Sequence, residues 1–144
     1  MLMHLKFCFE VIPTKQSPGA MLRYYRQRKG LSTRQLAESV GIVPATVLAY
    51  EQGKFPIPYQ TVIRLAAVLE IDRALLFDDF AKFIAYPYND KLREVRQKYE
   101  LSQSAFAEKG NISCGIYAKW ETAIRQPSRK MYEQLAATYP EIKL

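Results

Sequence analysis

The sequence predicts an all-α chain built as two tandem copies of one small helical unit, preceded by a short extended arm or strand. Three observations carry this reading. The chain aligns with itself after a shift of 70 residues. Helix-starting and helix-stopping residues recur at matching places in both copies. Beyond the first dozen residues, no stretch shows the period of two that a strand requires.

The shift places Leu22 on Leu92 and needs no gap as far as Ile71. Identical pairs are Leu22/Leu92, Arg23/Arg93, Arg26/Arg96, Gln27/Gln97, Leu31/Leu101 and Ser32/Ser102. They continue through Ala37/Ala107, Glu38/Glu108, Ile42/Ile112, Glu51/Glu121, Leu65/Leu135, Ala66/Ala136 and Ala67/Ala137. Thirteen identities over the fifty positions from Leu22 to Ile71 are far more than unrelated segments show. Arg28/Lys98, Leu36/Phe106 and Tyr50/Trp120 add conservative pairs.

Each unit reads as a succession of short helices. Ser17-Pro18 is an N-cap followed by proline at the first helical position, and the first helix runs to about Lys29, where Gly30 stops it. Ser32 and Gln35 have capping-box spacing and open the second helix. Gly41 is the left-handed residue of the turn that follows. Pro44 starts the third helix, which runs to about Gln52, and Gly53 ends it. Pro58 opens a fourth helix running to Glu70. Asp72 is expected to cap a fifth, apolar from Leu75 to Ile84. The second copy follows the same plan with Asn111 at the turn position, a residue that tolerates the left-handed region better than most. It is expected to end after its fourth helix. The domain plan is therefore an arm over 1–17, a first unit over 18–72, a fifth helix and linker over 73–88, and a second unit over 89–144.

Residues 1–12 differ from the rest. Leu5, Phe7, Phe9 and Val11 alternate with Lys6, Cys8, Glu10 and Ile12. A lone strand leaves its backbone unpaired. Two arrangements solve this: pairing with the same segment of a second subunit, giving a homodimer through the arm, or packing as an extended arm on the helices. Lys6 and Glu10 interrupt the apolar run and no small-residue cleavage site follows, so it is not read as a signal peptide.

Charge points to a polyanionic partner. The chain of 144 residues has a formal net charge of +7, with 21 basic and 14 acidic side chains. By segment the balance is +1 over residues 1–17, +3 over 18–72, −1 over 73–90 and +4 over 91–144, so two basic blocks flank a slightly acidic spacer. That pattern favours nucleic acid. No apolar run approaches the roughly 18 residues of a membrane span, so no membrane association is expected. A single histidine, His4, and two cysteines, Cys8 and Cys114, leave no metal-ligand spacing and no disulfide framework. No nucleophile–base pair or phosphate-cradling glycine loop is present. The expectation is a non-enzyme without cofactor or metal, acting in the cytoplasm.

A helix, a short turn and a second helix set across it form a helix-turn-helix. Leu31-Ser32, Leu36-Ala37, Gly41-Ile42 and Tyr50-Glu51 followed by Gly53 resemble the Xre/Cro, or lambda repressor-like, family. The second copy matches through Leu101-Ser102-Gln103, Phe106-Ala107, Ile112-Ser113, Trp120-Glu121 and Pro127. The resemblance implies a regulator of transcription that binds specific double-stranded DNA and presents its third helix to the major groove. It implies base contacts from Thr33, Arg34, Val43, Pro44, Ala45 and Ala49 in the first copy, and from Gln103, Ser104, Ser113, Cys114, Gly115 and Lys119 in the second. It implies backbone contacts from Ser32, Gln52 and Lys54, and from Ser102, Thr122, Arg125 and Arg129. It pairs Glu51 with Arg26 and Glu121 with Arg96, as structural bridges and not catalytic carboxylates. Tyr24, Tyr59 and Tyr117 are read as core residues or as phosphate contacts.

The copies depart from each other. The family's usual glutamine near the cap of the second helix is kept as Gln103 but is Thr33 in the first copy. The third helix of the first copy offers Pro44, Ala45, Leu48 and Ala49, which suit thymine methyls and groove shape but not bidentate hydrogen bonding. That copy is either a weak reader or a surface diverted to protein contact. The whole chain has the same alternative, a protein-interaction module such as an antitoxin or antirepressor-like partner. Cys114, at the start of its helix, reads as a small neutral residue that fits the groove or as a thiol made reactive by the helix dipole.

Overall fold

The computed structural model of the chain describes residues 17–144, and their regular structure is entirely helical. The expected arm strand, and the subunit pairing it implied, lie outside the described residues. The chain divides into two compact units, the first ending at Leu76 and the second beginning at Phe77.

In the first unit α1 spans Pro18–Arg28, α2 Thr33–Val40, α3 Pro44–Glu51 and α4 Tyr59–Leu69, and a 3₁₀ turn covers Arg73–Leu76. Local chemistry sets these boundaries. The Ser17 hydroxyl accepts from the Ala20 amide, with Pro18 opening α1. Ser32 and Gln35 form a reciprocal box at the start of α2. The Gln35 amide donates to Ser32 Oγ at 3.0 Å, and the Ser32 amide donates to Gln35 Oε1 at 2.8 Å. Gly41 closes α2 at φ 80°, a conformation open to glycine at no steric cost. Leu22, Leu36, Ala37, Val47, Leu65 and Leu76 are fully buried or nearly so. Burial of each large side chain favours folding by about 1.5–3 kcal/mol.

One contact in this unit is made by backbone alone. A Cβ built on Gly19 would meet the Tyr50 carbonyl oxygen at 2.2 Å and that of Glu51 at 2.9 Å. The first turn of α1 therefore lies directly on the C-terminal end of α3. The equivalent position in the second unit is Asn89.

In the second unit α5 spans Asp79–Ala85, α6 Tyr88–Lys98, α7 Gln103–Lys109, α8 Cys114–Glu121 and α9 Arg129–Thr138, followed by a 3₁₀ turn at Pro140–Ile142. Helices α6 to α9 begin 70 residues after α1 to α4, one for one. The core is more aromatic here. Phe83, Phe106, Tyr117, Trp120 and Tyr139 are all buried. The Phe106 and Tyr139 rings stack at 3.9 Å, and the Tyr139 hydroxyl donates to the Phe106 carbonyl at 3.1 Å. Asn111 takes the left-handed conformation at φ 55°.

One expectation is corrected. The spacer does not form a single fifth helix. Asp72 does accept from the Ala74 amide at 2.9 Å, but the turn it starts stops at Leu76, which is buried in the first unit. Asp78 then lies in extended backbone and accepts from the Ala81 amide at 2.9 Å, opening α5 in the second unit. An aspartate bonded to a downstream amide starts a helix and does not continue one, so two caps six residues apart give two elements. The second copy has no α-helix after its fourth, which is followed only by a short turn. Pro140 starts a closing turn whose Ile142 is fully buried.

Candidate nucleic-acid interface

Each unit sets two short helices across a three- or four-residue turn: α2 and α3 in the first, α7 and α8 in the second. A buried ion pair fixes the second helix of each pair. Arg26, on α1, donates from Nε to Glu51 Oε1 at 2.5 Å and from Nη2 to Oε2 at 3.2 Å, while Nη1 donates to the Leu31 carbonyl at 2.9 Å. Arg96 repeats this with Glu121 at 2.5 and 3.2 Å and with the Leu101 carbonyl at 3.1 Å. One guanidinium thus ties the end of the third helix to the chain entering the second. A fork-on-carboxylate pair suits this role because both its distance and its plane are specified.

The two carboxylates differ in their remaining partners. Glu121 also accepts from the Tyr117 hydroxyl at 2.6 Å and from Gln103 Nε2 at 2.7 Å. The first unit has Val47 and Thr33 at the corresponding positions. Burial pushes the Glu121 carboxyl up, but the bonds from Arg96, Tyr117 and Gln103 outweigh it and hold the group below the usual carboxylate range. The bond to Glu121 raises Arg96 against the opposing effect of burial. Burial, and then the bond to Glu121, push the Tyr117 phenol well above its usual value. Tyr117 is fully buried, so it is a part of this network and not a phosphate contact. Its spacing of four residues from Glu121 was the signal in the sequence.

The predicted contact residues fall into four groups. Pro44, Ala45, Gln52 and Lys54 are exposed on or just after α3, and Ser113, Cys114, Gly115, Lys119 and Arg125 are exposed on or around α8. Ser104 Oγ and Cys114 Sγ lie 3.3 Å apart, which joins the starts of α7 and α8 in one patch. A second group is already engaged. The Ser32 and Ser102 hydroxyls cap α2 and α7, Arg34 lies beside Glu38 at 3.5 Å, Thr122 donates to the Ala118 carbonyl, and Gln103 holds Glu121. Thr33 and Ala49 are half-buried. Arg129 stands apart. Its Nη1 donates to Asp78 Oδ2 at 2.5 Å and its guanidinium lies 4.8 Å over the Phe80 ring, so it fastens α9 to α5. Val43 and Leu48, which the sequence also offered on this helix, are exposed by 61% and 46%.

Among the described residues, no group of three or more His, Cys, Asp or Glu is placed to hold a metal ion, and no helix is long and apolar enough to cross a membrane. A helix-turn-helix domain model matches residues 19–76, and a second helix-turn-helix model matches residues 92–144. The chain belongs to the lambda repressor-like helix-turn-helix family. No curated protein and no solved structure matches it. Both lambda repressor-like domains are of a DNA-binding type. In that frame α3 and α8 are the helices that follow the turn, and the Arg–Glu bridges hold each at its C-terminal end.

Proposed function

We propose that this protein is a transcriptional regulator that binds specific double-stranded DNA through both helix-turn-helix domains. The reading rests above all on the patch around α8. There Ser104 touches Cys114, Ser113 and Lys119 are exposed at the cap and on the body of the same helix, and Arg125 and Lys130 are exposed further along the chain. Lys119 suits guanine O6 or N7, and the short side chains at 113–115 permit close approach to base edges. The basic side chains supply phosphate neutralisation, which carries most of the affinity for any sequence. The protein acts without a catalytic group, in the cytoplasm, and the homodimer that the alternating sequence of residues 1–12 suggests, one of two arrangements open to that segment, is part of what is to be tested.

Selection of duplexes from a random pool, followed by gel shift with competitor DNA at low salt, tests the reading. A recurrent motif is expected. Failure to shift any duplex at low salt would favour the second reading, a protein-interaction module of antitoxin or antirepressor type, which the apolar surface of α3 supports. Sedimentation of a chain lacking residues 1–15 tests the dimer: an unchanged mass discards it.

A further inference from the structure

The recognition helix of the first domain has an unusual outer surface. From Val40 to Ala49 the chain carries no charged and no amide side chain. Pro44, Ala45 and Leu48 fall on one face by helical spacing, and Val43 extends that face at the N-cap. All four are exposed. Phe55, beyond the helix, is exposed by 63%. Contiguous exposed apolar patches mark binding surfaces.

The rim identifies the occupant. Arg34, whose side chain is 80% exposed beside Glu38, precedes the strip in the chain, and the exposed Gln52 and Lys54 follow it. An apolar strip on a domain of net charge +3, with exposed Lys54 just beyond it, complements a groove whose floor carries methyl groups and whose walls carry phosphates. Pro44 and Ala45 are short enough for the helix to approach that floor. The only apolar groups on the major-groove floor of ordinary DNA are the 5-methyl groups of thymine.

We infer that the first domain is a methyl reader: Val43, Pro44, Ala45 and Leu48 select a thymine-rich half-site by contact with 5-methyl groups, while the second domain reads its half-site by hydrogen bonding. This rests on the DNA-binding reading above. It deepens that reading by assigning different chemistry to the two halves of the site.

Uracil in place of thymine removes the methyl and leaves every hydrogen-bonding group intact. The full chain is titrated against its selected duplex, made with thymine throughout or with uracil in one half-site at a time. Uracil in one half-site should weaken binding about fourfold for each methyl contacted. Leu48→Ser should weaken binding to the thymine duplex and largely abolish its advantage over the uracil duplex. Lys119→Ala should lower affinity and keep that advantage. Leu48 is a surface residue, and circular dichroism verifies that its variant is folded. Equal binding of thymine and uracil duplexes by the unaltered chain overturns the inference but leaves DNA binding standing, and assigns the α3 surface to protein contact. An advantage unchanged in Leu48→Ser also overturns it. No binding to any duplex removes the DNA-binding reading itself.

Discussion

The Tyr117 hydroxyl donates to the Glu121 carboxylate one helical turn further along α8, at 2.6 Å and out of contact with solvent. The first domain has valine in that place, so the same carboxylate position is held differently in the two halves of the chain. Tyr117→Phe removes a hydrogen bond to a charged acceptor and should destabilise the second domain by about 1.5–3 kcal/mol. Trp120 is the only tryptophan and is buried in that domain. Urea unfolding followed by its fluorescence therefore reports the second domain selectively. An unchanged midpoint would show that the phenol contributes only its ring.

The Arg–Glu bridges should be costly to break and cheap to remove together. Loss of one partner of a buried pair typically costs about 3–5 kcal/mol because the other charge is stranded. Arg96→Ala and Glu121→Ala are each expected near that range, and the double variant well below their sum. Glu121→Ala should cost more than Glu51→Ala, since it also strands Tyr117 and Gln103. Trp120 fluorescence follows the former and the helical circular dichroism signal the latter. Additive losses within a pair would show that the two side chains do not interact energetically.

Acid should act on the second domain through Glu121. Its folded carboxyl lies below the usual range. The unfolded chain therefore binds the proton more readily, and stability rises with pH across that interval. The contribution is complete above the unfolded carboxylate pKa and is lost as pH falls through the folded one. Urea midpoints measured by Trp120 fluorescence should drop on acidification through the carboxylate range, and Glu121→Gln should flatten the profile. A profile as steep in the glutamine variant would place the effect elsewhere.

On DNA, Lys119→Ala should cost about 1–3 kcal/mol on the selected site and relax base preference. Gln103→Ala combines two losses, since its amide also holds Glu121, so it should lower both affinity and the Trp120 unfolding midpoint. Arg125→Ala should weaken all duplexes and reduce the salt slope by about 0.9. Arg129→Ala should leave the slope unchanged, because Asp78 already compensates that charge. A slope reduced as much by Arg129→Ala would mean that phosphate displaces Asp78.

The helix boundaries were legible because caps are local: Ser17, Ser32, Gly41 and Asn111 act on residues within a turn of themselves. What the repeat could not show was competition between partners distant in sequence. Gln103 and Arg129 have the types expected of DNA contacts, yet Glu121 and Asp78, 18 and 51 residues away, claim their donors. The spacer was misread for the opposite reason. Its apolar run from Leu75 to Ile84 hides Asp78, whose short-range bond breaks one helix into two. The α3 surface was visible residue by residue, but its continuity with Val43 needed the exposure of each side chain.

The close approach at Gly19 limits how far the two halves can be interchanged. No side chain fits between α1 and the end of α3 there, whereas Asn89 occupies the matching place in the second domain. Grafting the reading residues of α8 onto α3 leaves that seating intact. Grafting α6 in place of α1 brings in asparagine, which would lever the recognition helix off its support. After duplication the copies became matched sets, Gly19 with Val47 and Thr33 in one, Asn89 with Tyr117 and Gln103 in the other. Exchange of specificity between them has to proceed by outward-facing residues or by whole domains.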